Sequence, residues 1–280
     1  MPTLRSAYTR VMHFDPSLLP LLEDDLAEPG LITPRGFTTD ANMPTAVVIC
    51  FFAEVIEELA RRLDTELVGV LSAAHGQHPV YSIAHGSSRV AVFHPGVGAP
   101  IAAGFLEEVI AAGGRSFIAV GGAGALLPDL VLGHPVVVQS AVRDEGTSYH
   151  YAPPGRIIDA DPIGVVAIQK TLDAVGADYL TGRTWTTDAF YREPRTRISR
   201  RVDEGCLAVE MEAAAFIAVA RFRGVRLGQI LYAGDSVAGA EWDERDWSKA
   251  SDIRSTLFDV AAAAALHLDF RDQGHAEREV

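Results

Sequence analysis

Glu210, Glu212 and Asp235 are the residues whose types and spacing could do chemistry. All three sit at the edges of otherwise apolar segments in the stretch AVEMEAAAFIAVARFRGVRLGQILYAGDSVAG, residues 208–239. Residues 208–211 read as the end of a buried strand, and 230–233 as another strand. Between them, residues 212–222 read as a helix with Ala213, Phe216, Ile217 and Ala220 on one face. Asp235 then falls just past a strand end, where open α/β sheets keep their ligands. Glu210 and Glu212 share a face if the strand runs that far, because side chains alternate with period two. Burial of Asp235 beside Tyr232 and Val237 would raise its pKa from about 3.9 and make it a proton donor near neutrality. An ionised Glu212 could accept hydrogen bonds from two adjacent hydroxyls at once. Structural roles fit the same residues: Asp235 as the cap of a Gly-Asp-Ser turn, Glu212 as a helix N-terminal carboxylate favoured by the dipole.

The elements that must position these groups alternate along the chain. Strands are expected at 46–52, 68–71, 80–84, 90–93, 117–120, 135–142 and 179–185, and helices at 54–63, 101–112, 163–175 and 252–268. Pro100 suits the first turn of the second helix. This order indicates a single α/β domain over residues 46–270 with a mixed central sheet flanked by helices, and an antiparallel element before Gly96. Residues 1–45, with Pro2, Pro16, Pro20, Pro29, Pro34 and Pro44, read as an extended arm with one helical turn, suited to packing on a neighbouring subunit. The charged tail 271–280 reads as frayed.

Composition narrows the function classes. At 280 residues and 48% hydrophobic, the chain can bury its own core. A net charge of −13 argues against a nucleic-acid groove, which draws its affinity from Lys and Arg on phosphates. No apolar run reaches bilayer-spanning length and the first residues lack a signal core, so a soluble protein without membrane attachment is expected. The two cysteines, Cys50 and Cys206, lie in apolar runs, as suits buried thiols in a reducing cytoplasm. His75 and His78 lack further ligands at metal-site spacing and read as part of a polar turn; no metal is expected. The loops Gly96-Val97-Gly98 and Gly121-Gly122-Ala123-Gly124 each follow a strand and can bring backbone N–H groups to a ligand or make tight turns. Neither completes GxGxxG, since Ile101 and Leu127 hold the third position, and a dinucleotide cofactor is not expected.

Four segments together resemble the nucleoside phosphorylase family, which includes uridine phosphorylase, bacterial hexameric purine nucleoside phosphorylase and methylthioadenosine nucleosidase. They are HPGVGAP (94–100), FIAVGGAGALLPDLVLGHPVVVQSAVRDEG (117–146), TTDAFY (186–191) and the VEMEA box (209–213) with Asp235 at the family distance; the likeness spans residues 46–240. It implies cleavage of a nucleoside N-glycosidic bond, in which positive charge builds on the sugar while electrons retreat into the base. On the matching positions, Asp235 protonates the departing base, Glu212 with Glu210 holds the ribose hydroxyls, and Met211 lies under the sugar. Phe190 stacks on the base, and Val97, Gly98, Gly121 and Gly122 belong to the substrate site. Uridine phosphorylases lack an aspartate matching Asp235, so the resemblance favours a purine, whose N7 accepts the proton. It also implies no cofactor and a homo-oligomer, dimer or hexamer.

The resemblance fails at the phosphate site. Cys50, Phe51 and Phe52 stand over the family's phosphate loop and Glu54 over its arginine; Ala119 stands where the next strand carries another arginine, and no counterpart of a third arginine is apparent near Gly76. Methylthioadenosine nucleosidase has a glutamate followed by valine at this place that activates water, and Glu54-Val55 is similar. The reading therefore leans to hydrolysis with Glu54 as general base, although Glu54 also suits a solvent-facing first turn. Phosphate as co-substrate with a rebuilt anion site is the alternative, and a non-catalytic nucleoside binder the alternative from another class. Pro194 and Thr196 replace the uracil-reading residues, and Arg192, Arg195 and Arg197 read as part of a mobile, solvated flap.

Overall fold

The computed structural model describes residues 19–23, 25–36, 43–74, 76–247 and 251–268. β1 (Ala46–Cys50), buried at every position, runs parallel between β4 (Ser88–Phe93) and β5 (Ser116–Ala125). β2 (Glu66–Ala73), β3 (Gly76–His85) and β4 form the antiparallel element expected before Gly96. On the other side of β5 the sheet curls. β10 (Arg226–Ser236) lies parallel to β5 and antiparallel to β6 (Pro135–Asp144). Next to β6 come β8 (Leu180–Thr187) and then β9 (Cys206–Glu210), both parallel to their predecessors. β9 returns to the end of β5 through Gly124 opposite Val209 and Ala125 opposite Ala208, so these five strands close a ring from which β1, β4, β3 and β2 extend. A short β7 (Ile157–Asp159) adds to β6.

Period-two alternation sends successive residues of β5 into different cores. Ile118 and Val120 pack with α3 (Pro162–Ala174) and α6 (Ser251–His267). Phe117 and Ala119 pack with α2 (Ala99–Ala111) and α5 (Ala213–Arg223). The fold is thus the mixed sheet flanked by helices that the element order predicts. Contact between α3 and β10 depends on Gly164, where a Cβ would lie 2.4 Å from the Leu227 carbonyl oxygen.

Four local expectations are corrected. Gly121-Gly122-Ala123-Gly124, read as a loop after a strand, continue β5 to Ala125. α1 (Ala53–Ala60) stops short of residue 63, closing in a turn at Arg61. Arg195 and Arg197, read as part of a mobile, solvated flap, lie in the helix α4 (Arg195–Asp203). It is pinned by Arg195 to the Gly239 carbonyl at 2.6 Å and by Arg197 to Asp144 at 3.7 Å. Asp235 lies inside β10 rather than past its end, after the irregular register between Ala233 and Ser236. Of the proline-rich arm, a 3-10 turn at Pro20–Leu22 is described; residues 1–18, His75 and the tail 271–280 lie outside the described residues.

Candidate active site

The C-terminal ends of β5, β9 and β10 meet the loop after β4 around a cavity of about 300 Å³. Val97, Gly121, Gly122, Glu210, Met211, Glu212 and Asp235 all line it, so residues up to 138 positions apart in the chain gather at one place. Gly98 adopts φ of 100°, a conformation that favours glycine, and its N–H donates to Glu212 Oε1 at 2.5 Å. His94 sets this loop from its other end, its Nδ1 accepting from the Gly96 N–H at 3.0 Å. Where β5 faces the cavity, a Cβ on Gly122 would press on the Tyr232 ring at 3.2 Å.

Glu210 and Glu212 divide their work. Glu210 Oε2 accepts from the backbone N–H groups of Glu212 at 2.7 Å and Ala213 at 2.6 Å, and its Oε1 accepts from the Thr186 hydroxyl at 2.6 Å. Thr186 Oγ1 in turn accepts from the Ala214 N–H at 3.0 Å. Glu210 is thereby committed to the otherwise orphaned N–H groups that open α5. Glu212, at the helix N-cap, has left strand geometry with φ of −139° and ψ of −24°, and does not simply repeat the Glu210 direction. Burial, then the neighbouring Glu210 charge, raise the Glu212 carboxyl to about 8. Burial likewise raises Glu210 to about 7 against the bonds that favour its ionised form.

Asp235 also lines a second cavity of about 730 Å³, shared with Phe190, Glu193, Trp242 and Trp247. The indole N–H of Trp242 donates to Asp235 Oδ2 at 2.7 Å. Phe190, 53% exposed, offers a face beside Tyr191, the two ring centroids 4.1 Å apart. Phe190 is thus a wall of this larger cavity and not of the smaller one, and Asp235 and Trp247 stand at their junction.

Glu54 is not brought into either lining. Its carboxylate pairs with Arg254 of α6, and its side chain stays 46% exposed. Arg254 itself lines the smaller cavity and is buried, its Nε donating to Tyr232 Oη at 3.1 Å and its Nη2 to the Trp247 carbonyl at 2.8 Å. Burial alone would lower its pKa, but the bonds to Glu54 and Tyr232 outweigh it and the net shift is upward. The guanidinium packs over Phe52, Tyr232 and Trp247, with 5.6, 5.9 and 5.3 Å to the ring centroids. Sequence reading missed this residue. A signal exists: Arg254 falls in register with Leu257, Phe258 and Ala261, the buried face of an Ala-rich helix. A second missed residue is Gln229, aligned with Ala119 across β10 and β5; it lines the smaller cavity with a buried Oε1 that no described residue satisfies. The two thiols take no part, both buried and pushed up to about 12 by desolvation. Among the described residues no group of three His, Cys, Asp or Glu could hold a metal ion.

The family model described as the phosphorylase superfamily matches residues 45–266, from β1 through nearly all of α6. The chain belongs to the phosphorylase superfamily. Among this superfamily's curated members, guanosine phosphorylase of Halorubrum lacusprofundi is 31% identical over 210 residues, covering 71% of this chain and 85% of that protein. Uridine phosphorylase of Klebsiella aerogenes is 26% identical over 205 residues, covering 68% and 80%. Of solved structures, purine nucleoside phosphorylase of Toxoplasma gondii in complex with immucillin-H superimposes with a TM-score of 0.71 at 20% identity, over 87% of this chain and 98% of that one. Uridine phosphorylase of Vibrio fischeri gives 0.67 at 23% identity, over 81% and 93%. The fold of the superfamily is thereby shared, and the protein is an enzyme of the nucleoside phosphorylase family. No described helix is long and apolar enough to cross a membrane.

Proposed function

We propose that this enzyme cleaves the N-glycosidic bond of a purine nucleoside by phosphorolysis, with Arg254 supplying the cation for phosphate. The observation that carries the reading is the presence of Arg254 in the same cavity as Glu212, Met211 and Asp235. A chain of net charge −13 needs a local positive group to admit a dianion, and the positions Glu54 and Ala119 provide none. Glu54 neutralises Arg254, but its side chain is half in water already. An arriving phosphate can take the guanidinium while Glu54 swings outward, with little of the desolvation penalty that a buried carboxylate would incur. The same pairing speaks against Glu54 as the base of a hydrolytic reaction, because its carboxylate is turned to Arg254 and lines neither cavity.

In this reading Glu212 accepts from the ribose hydroxyls, exchanging its bond to Gly98 or adding to it. Met211 packs against the sugar, Phe190 stacks on the base, and Asp235 faces the base from the junction of the two cavities. Guanosine phosphorylase among the relatives, together with an aspartate at position 235, supports a purine over a pyrimidine. A homo-oligomer accompanies the reading; a single monomeric mass by light scattering would remove it. Incubation of the purified protein with guanosine, inosine, adenosine and uridine, with and without phosphate, tests the reaction itself. Phosphate-dependent release of a purine base and ribose 1-phosphate is expected. Free ribose formed equally well without phosphate would sink phosphorolysis and return Glu54 to the mechanism as the base.

A further inference from the structure

The larger cavity contains a second carboxyl with no role so far. Glu193 follows the 3-10 turn Phe190–Arg192 and precedes α4, and it lines the cavity together with Asp235, Phe190, Trp242 and Trp247. It is half-buried, and among the described residues no hydrogen bond or ion pair holds it. Of the described groups around it, Asp235 on β10 brings a negative charge, Tyr191 and Arg192 come from its own turn, and the loop carrying Trp242 and Trp247 contributes indoles. Arg195 is turned to the Gly239 carbonyl and Arg197 to Asp144. Asp235 Oδ2 already accepts from the Trp242 N–H, whereas Glu193 has no such donor among the described residues.

Two carboxyl groups sharing an aromatic-walled cavity do not both ionise without cost. Burial first and the Asp235 charge second raise Glu193 to about 7. Resting on the purine reading above, we propose that Glu193 and Asp235 form a carboxyl pair holding one proton, with Glu193 as its reservoir, and that the leaving purine takes this proton at N7. When the bond from the sugar C1′ to base N9 breaks, its electron pair passes into the base. N7 gains the proton from the pair, Glu193 is left as a carboxylate, and a phosphate oxygen bonds C1′. The monoester then sheds the phosphate hydroxyl proton, which restores the pair.

The test compares guanosine with 7-methylguanosine, whose base is already cationic and needs no proton at N7. With saturating phosphate, Glu193→Gln should slow guanosine turnover roughly 10²-fold, the usual worth of a general acid, and leave 7-methylguanosine turnover almost unchanged. The wild-type guanosine rate should fall as pH rises above about 7, and this fall should vanish in the variant. Equal slowing of both substrates, or of neither, would overturn the proposal. Carboxyl-carbon NMR on the intact ligand-free protein decides the pair independently of activity. Glu193 should titrate near 7 and move down on Asp235→Asn, whereas titration in the ordinary glutamate range would refute the pair. Absence of any purine cleavage by the wild type would instead defeat the proposed function while leaving that titration decisive for the pair.

Discussion

Replacing Arg254 by methionine removes one guanidinium and keeps most of the apolar volume over Phe52, Tyr232 and Trp247. If Arg254 holds phosphate, each charge-assisted hydrogen bond lost is worth about 1.5–3 kcal/mol, or roughly a 10- to 150-fold loss of affinity per bond. The KM for phosphate should therefore rise at least about tenfold, while the KM for nucleoside, which in the proposed reading depends on Glu212 and Phe190, stays put. Arg254→Lys keeps the charge as a single point donor and should fall between the two. The structural cost has to be separated from this effect. Breaking a buried ion pair typically costs about 3–5 kcal/mol, but the orphaned partner here is a Glu54 side chain 46% exposed, which brings the expected loss down to about 1–2 kcal/mol. That is a decrease of several degrees in melting temperature for a domain of this size. The assay is initial rate against phosphate at saturating nucleoside, run on protein shown to be folded by its melting curve. A folded Arg254→Met enzyme with an unchanged phosphate KM would refute the assignment.

Glu54→Gln should change phosphorolytic turnover no more than a few-fold, because the amide still accepts from Arg254; a loss of roughly 10²-fold or more would reinstate Glu54 as a catalytic base. The raised Glu212 carboxyl makes the folded state the better proton binder between the ordinary glutamate value of 4.5 and about 8. Stability from this group is therefore full at the acid end and is lost as pH rises through that window; melting of the ligand-free protein should fall from acid to mildly alkaline pH, and Glu212→Gln should flatten the slope. Gly164→Ala forces a methyl group against the Leu227 carbonyl and should cost about 1–3 kcal/mol, read as a lower melting temperature with little change in KM.

Much of the site was legible because its parts are local in sequence. The VEMEA box and Asp235 lie within one strand–helix–strand unit, so period-two and period-3.6 patterns are enough to put Glu212 at a helix start and Asp235 near a strand end. The loop at residues 96–98 was legible for a similar reason, since it follows β4 and holds two glycines at positive φ; residues 121–124, read as a loop, instead continue β5 to Ala125. Local pattern misjudged the groups whose partners are remote. Glu54 reads as a free first-turn carboxylate until α6 lays Arg254 against it from 200 residues away. Arg195 and Arg197 read as part of a solvated flap because they have no visible partners in their own segment. Packing supplies Gly239 and Asp144.

The sequence by itself determined the superfamily, the alternation of strands and helices, and the carboxylates at the strand ends, since burial periodicity and short-range spacing are written directly in residue order. Tertiary structure alone decided that β9 closes on β5 to make a ring, and that two cavities share Asp235 in their walls. It also decided that a buried arginine from the last helix stands in the site whose expected arginines are absent. These are meetings of side chains far apart in the chain, and only the packing of helices on a curved sheet fixes which of them share one low-dielectric space and so shift, pair or free one another's charges.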